Sequence, residues 1–205
     1  MAKKGLTEIV CVIDKSKSME AIEKDAIGGF NKFVKAQKEE IGQAIMTTVL
    51  FDTDYKYLYF GTDIQNVKRL TKKSYVPSGM TSLLDAVGKA IDDVGVRLSD
   101  TAEEERPERV IFVILNGTEE NSSKEYTRQQ VFDKIRLQTT VYKWQFVLLA
   151  ANQDAAFSAE SIGIDAGFAN TFAFSGAGIR ESFHQMSKVI SSYRQTGTIK
   201  EDWKK

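Results

Sequence analysis

Apolar and polar positions change period several times along the chain. Residues 6–14, "LTEIVCVID", form a nearly continuous apolar run rich in β-branched residues, which predicts a strand covered on both faces by helices. From about Ser18 to Ile41, Met19, Ile22, Ile27, Phe30, Phe33 and Val34 recur at roughly helical spacing, predicting a long helix bent at Gly28-Gly29. Residues 44–51 and 55–60 are strand-like and are separated only by Asp52-Thr53-Asp54. A parallel crossover needs a dozen or more residues, so these two strands form an antiparallel hairpin. Pro77, Ser78 and Gly79 then break the chain, and Leu83, Leu84, Val87, Ile91 and Val94 mark the buried face of a helix with Thr81 or Ser82 at its start. A buried strand at 109–115, a helix at 124–138, a strand at 144–150, a short helix at 154–163, a weak strand at 168–174 and a closing helix at 181–195 complete the pattern. Alternating buried strands and helices predict an α/β fold: a three-layer, doubly wound, Rossmann-like domain with a mostly parallel central sheet and one antiparallel strand. Ser175-Gly176-Ala177-Gly178 reads as the turn before the last helix, and Trp203 falls in a charged tail, 196–205, expected to be disordered.

Length and charge narrow the function classes. At 205 residues the chain fits one domain, with its core at about 6–195. Lys plus Arg balance Asp plus Glu at 28 each, so no global field gathers nucleic acid or an anionic membrane. The basic stretch at 68–73 lacks interleaved aromatics for base stacking and reads as solvated surface. No apolar run reaches the roughly 18 residues of a membrane span, and the polar start "MAKKG" is unlike a secretory signal. The single cysteine, Cys11, sits in an apolar strand, where a thiol packs as a small hydrophobe. A cytoplasmic location is the expectation, which makes the Asn-x-Ser/Thr matches at Asn116 and Asn121 coincidental.

In an open sheet of this kind, ligands bind beyond the carboxyl ends of the strands, where neighbouring connections leave toward opposite faces. Asp14 ends the first strand, and Ser16 and Ser18 follow it, offering one carboxylate and two hydroxyls within a short turn. Such hard, weak donors suit a small oxygen-preferring cation such as Mg²⁺. Soft metals are disfavoured, because His184 is the only histidine and no Cys/His cluster exists. The same residues also read as a helix entrance, with a serine cap and Glu20 or Glu23 in the first turns. If strand 109–115 lies beside the first, then Asn116-Gly117-Thr118-Glu119-Glu120 emerges at the same rim, as does the loop ending at Thr81.

With these loops assembled, the chain resembles the von Willebrand factor type A (vWA) family, especially its stand-alone bacterial cytosolic members, over roughly Leu6 to Tyr193. Asp14-Lys15-Ser16-Lys17-Ser18, followed by Met19, is similar to the first loop of that family's metal-ion-dependent adhesion site, and Thr81 to its second. Two departures stand out. Lys17 occupies a position where the family often has glycine, and "VILNGTEENSS" has no Asp where the third loop usually supplies one. Aligned on Asn-Gly, Asn116 replaces that Asp; aligned on the downstream Glu-Glu-Asn-Ser, Gly117 replaces it and leaves no side chain. Glu119, Glu120 and Asp52 are the carboxylates nearby in sequence that would restore the charge.

The resemblance implies a protein-interaction module. Asp14, Ser16, Ser18 and Thr81, with Asn116 as an outer ligand, would hold Mg²⁺ or Mn²⁺, and an acidic group of a protein partner would complete the coordination. Two other readings stand beside it: a metal-independent scaffold with a degenerate site, and a metal-assisted phosphoryl-transfer enzyme using Asp14. The last lacks a phosphate-binding glycine loop, a nucleophile elbow and a base paired to a Ser or Cys.

Overall fold

The computed structural model describes residues 2–151, 154–200 and 203–204. Six strands, β1 (Lys3–Asp14), β2 (Gln43–Phe51), β3 (Tyr55–Asp63), β4 (Pro107–Asn116), β5 (Gln145–Ala151) and β6 (Ala169–Phe172), form one sheet in the order β3-β2-β1-β4-β5-β6. All neighbours are parallel except β2 and β3, whose hairpin makes β3 an antiparallel edge. The helices are α1 (Glu23–Glu39), α2 (Leu83–Asp100), α3 (Arg128–Thr140), α4 (Ala155–Ser161) and α5 (Gly176–Thr196).

Strand alternation divides the core in two. Ile9, Cys11 and Ile13 of β1, with Ile111, Val113 and Leu115 of β4, face α1 and α5. Val10, Val12, Val110, Phe112 and Ile114 face the opposite layer, packed with residues of α2, α3 and α4. β1 and β4 are buried on both sides, which is why they read as unbroken apolar runs. Cys11 is fully buried and burial pushes its thiol far up, in keeping with a packing role. No helix among the described residues is long and apolar enough to cross a membrane.

Three sequence expectations change. The helix expected from Ser18 begins as a short 3-10 turn, Lys17–Ile22, and becomes α-helical only at Glu23. It then runs through Gly28 and Gly29 within one helical span, α1. Gly29 serves close packing: a Cβ there would lie 2.4 Å from Phe183 Cδ2 of α5, and Phe183 meets Phe30 edge-on at 6.2 Å between ring centroids. The segment Gly176-Ala177-Gly178 is the first turn of α5, with the Ser175 hydroxyl accepting from the Gly178 amide. Trp203 also packs in the core, with Ile199 against the same cluster, and its indole Nε1 donates to the Gly167 carbonyl at 3.0 Å. Residues 201, 202 and 205 of that tail lie outside the described residues.

Candidate metal and recognition site

The connections after β1 and β4 depart to opposite layers, and the crevice between these two strands opens at their carboxyl ends. Three loops meet there. The Lys17 amide donates to the Gly79 carbonyl at 3.1 Å, and the Ser78 amide to the Lys15 carbonyl at 2.9 Å, joining the first loop to the second. Asn121 clamps Thr81 from the third: its Oδ1 accepts from the Thr81 amide at 2.9 Å, and its own amide donates to the Thr81 carbonyl at 3.0 Å. The Gly117 amide donates to Asp14 Oδ2 at 2.9 Å, closing the ring of loops.

Asp14 is buried with no exposed surface. Its Oδ1 accepts from the Ser16 amide at 2.6 Å, and the Tyr75 hydroxyl donates to its backbone carbonyl at 2.7 Å. Burial pushes the Asp14 carboxyl above its ordinary range, opposed by donors from Ser16 and by the amides of Gly117 and Thr118. The Ser16 and Ser18 hydroxyls lie 3.1 Å apart; Ser16 is buried and Ser18 exposed. Thr81 is buried, with its hydroxyl 2.7 Å from that of Thr118. Asp14, Ser16, Ser18 and Thr81 thus belong to one hydrogen-bonded rim, with Ser18 on its solvent side. Neither Ser16 nor Ser18 makes a side-chain cap to the helix that follows.

Asn116 and Gly117 point differently. By alternation Asn116 follows Ile114 onto the α2–α3 face, where it lines a cavity with Leu83 and Leu148. A Cβ at Gly117 would instead lie 3.2 Å from Asp14 Oδ2 and 2.4 Å from Met19 Sδ. Of the two third-loop positions, Gly117 is the one that faces Asp14.

The nearby carboxylates have other partners. Lys15 pairs with Asp52, the Ser78 hydroxyl donates to Asp52 at 2.5 Å, and the Asp54 amide donates to it at 2.9 Å. Burial alone would raise the Asp52 carboxyl; these donors outweigh it and hold it below the ordinary value. Glu120 caps the start of α2 and its own loop, accepting from the amides of Leu84, Ser122 and Ser123 and from the Ser123 hydroxyl. Glu119 is exposed. Lys17 points to solvent and pairs with Glu20 at 2.8 Å. Among the described residues, no group of three or more His, Cys, Asp or Glu side chains gathers as metal ligands. The donors at the rim fit a hard cation in kind, and they carry one negative charge, that of Asp14.

Sequence reading placed Thr118 at the rim but gave no contact role to it, to Asn121 or to Tyr75, which lock the loops together. The short polar run Thr118 to Ser123 after a buried strand is the signal for the first two, since such side chains commonly bond nearby backbone. Tyr75 carries no comparable signal.

No protein-family model matches the sequence, and no curated protein matches it. Solved structures do. The chain is similar to proximal thread matrix protein 1 from the mussel byssus, solved with a zinc-occupied MIDAS motif, at 12% identity and a TM-score of 0.63, covering 90% of this chain and 48% of that one. It therefore spans about half the length of the mussel protein. It is similar to the vWF domain of the type V pili tip protein Mfa5 from Porphyromonas gingivalis at 12% identity and a TM-score of 0.63, covering 95% and 98%. The manganese-loaded TRAP protein of Plasmodium vivax matches at 13% identity and a TM-score of 0.54, covering 87% and 73%. These likenesses establish the fold, which is vWA-like.

Proposed function

We propose that this vWA-like domain is a protein-recognition module, taking an acidic group of a partner through a divalent cation, Mg²⁺ or Mn²⁺, held by Asp14, Ser16, Ser18 and Thr81. The observation that carries the reading is the hydrogen-bonded convergence of three loops, distant in sequence, around one buried carboxylate and three hydroxyls. The neighbouring folds with zinc-occupied and manganese-loaded sites support it. Asn116 stands outside this ligand set. Exposed Val76 and Met80, on the loop bonded to Lys17, give the rim an apolar border against which a partner can pack.

A single buried carboxylate makes the cation weakly held, because hard-cation affinity follows ligand charge. A carboxylate from the partner adds the missing charge, so metal and partner bind cooperatively and each tightens the other by the same factor. The test is Mn²⁺ titration of chelator-treated protein, with and without acetate as the partner group, after correction for Mn²⁺–acetate association. Acetate should tighten Mn²⁺ binding, and Ser18→Ala should abolish the effect. Identical Mn²⁺ binding with and without acetate sinks the proposal.

A metal-independent scaffold is the second reading, favoured by the glycine that faces Asp14. Under it, partner capture survives both chelator and Ser18→Ala. A catalytic role for Asp14 has less support, because the sequence has no phosphate-binding glycine loop, no nucleophile elbow and no base paired to a Ser or Cys.

A further inference from the structure

The third loop also walls a second cavity, of about 520 Å³, between the carboxyl ends of β4 and β5 and helix α4. Asn116 lines it, is 2% exposed, and leaves its Oδ1 buried without a hydrogen-bond partner among the described residues. Leaving a buried carbonyl unbonded is costly, so such a group calls for a donor from outside the fold.

The remaining lining defines that donor. Glu119, Glu120 and Asp154 bring three carboxylates against the single guanidinium of Arg128, which itself donates to the Ser161 hydroxyl at 2.7 Å. Surplus negative charge beside a bare carbonyl acceptor excludes an anion and favours a cationic donor. Leu83, Leu148, Ile162 and the largely exposed ring of Phe157 supply apolar surface for the body of a ligand. We infer that this cavity is a binding site for a small primary ammonium compound with an apolar body, its –NH₃⁺ donating to Asn116 Oδ1. The site is separate from the Asp14 rim and does not depend on the cation proposed there.

The probe is phenethylamine, compared with phenethyl alcohol and phenylacetate, which match its shape and are neutral and anionic. Each is titrated at neutral pH while backbone amide shifts are followed by NMR. Phenethylamine should shift the amides of residues 116–120 and 157–162 saturably, with the alcohol about tenfold weaker and phenylacetate without effect. Asn116→Leu removes the unbonded carbonyl and keeps the volume, so it should fold with stability equal to or above the parent and bind the amine about tenfold more weakly. Glu119→Gln, at an exposed position, should weaken the amine alone and serves if Asn116→Leu fails to fold. Equal binding of all three probes would reduce the cavity to an apolar cleft. No saturable shift, shifts located elsewhere, or amine binding unchanged in the variant that folds would each overturn the assignment, leaving ordered water as the partner of Asn116.

Discussion

Substituting Gly117 by Asp adds a second carboxylate where the third loop meets Asp14. The position is tight: its Cβ would lie 2.4 Å from Met19 Sδ, 3.2 Å from Asp14 Oδ2 and 3.3 Å from Phe174 Cε2, so its neighbours must shift to admit any side chain. Crowding against buried Met19 is common to alanine and aspartate at this position, so the difference between the two variants isolates the charge. Two carboxylates about 4 Å apart repel by about 4 kcal/mol at an effective dielectric of 20. The cation-free variant should therefore lose stability at neutral pH, by up to about 4 kcal/mol against Gly117→Ala, which carries the crowding without the charge. A divalent cation between the two carboxylates removes the repulsion, and a cation at 100 times its dissociation constant contributes about 2.7 kcal/mol more. Urea melts of chelator-treated parent, Gly117→Ala and Gly117→Asp, each with and without Mg²⁺, measure both effects. Gly117→Asp should be the least stable without cation and gain the most with it. Cation-insensitive melts, or equal stability of the Ala and Asp variants without metal, would refute the reasoning that position 117 faces the cation.

Glu120→Ala removes the acceptor for Leu84, Ser122 and Ser123 amides and should cost about 1–3 kcal/mol in urea melts, with faster amide exchange at those three residues; unchanged exchange contradicts the capping role. Two adjacent glycines of α1 should respond oppositely to alanine. Gly29→Ala drives a methyl into Phe183 and should cost about 1–3 kcal/mol, whereas Gly28→Ala meets nothing within 4 Å and should gain up to about 1 kcal/mol from helix propensity. Burial raises the Glu8 carboxyl above its ordinary value, outweighing the Arg97 guanidinium and the Thr47 hydroxyl. The folded state then binds the Glu8 proton more tightly than the unfolded one, so this group costs stability as pH rises through its unfolded and then its folded pKa. Parent stability relative to Glu8→Gln should accordingly improve between pH 7 and pH 5, and a decline over that range contradicts the burial argument.

The framework was legible because its strands announce themselves. β1 and β4 are buried on both faces, so their apolar runs survive without periodicity, and three residues between β2 and β3 leave no alternative to a hairpin. Helix boundaries were less legible where tertiary contacts decide them. Gly28-Gly29 interrupts the apolar spacing in sequence, and the need of Phe183 for space explains Gly29, a contact that spans more than 150 residues. The same holds for Trp203, whose indole donates to a carbonyl at Gly167. At the rim, the spacing of Asp14, Ser16 and Ser18 carried the first loop. Which of Asn116 and Gly117 faces Asp14 rests on strand alternation at the end of β4, where two alignments one residue apart send the side chain to opposite layers.

The measurement that bears most directly on the recognition site is Mn²⁺ binding to chelator-treated protein, read as the loss of the free-ion signal in electron paramagnetic resonance, with Asp14→Asn and Ser18→Ala alongside. Weak, saturable binding at one site, with a dissociation constant on the order of 1 mM or below, tightened by acetate and lost in both variants, is the predicted result. A free-ion signal unchanged by the parent protein, with or without acetate, would contradict a cation-dependent site at Asp14, Ser16, Ser18 and Thr81.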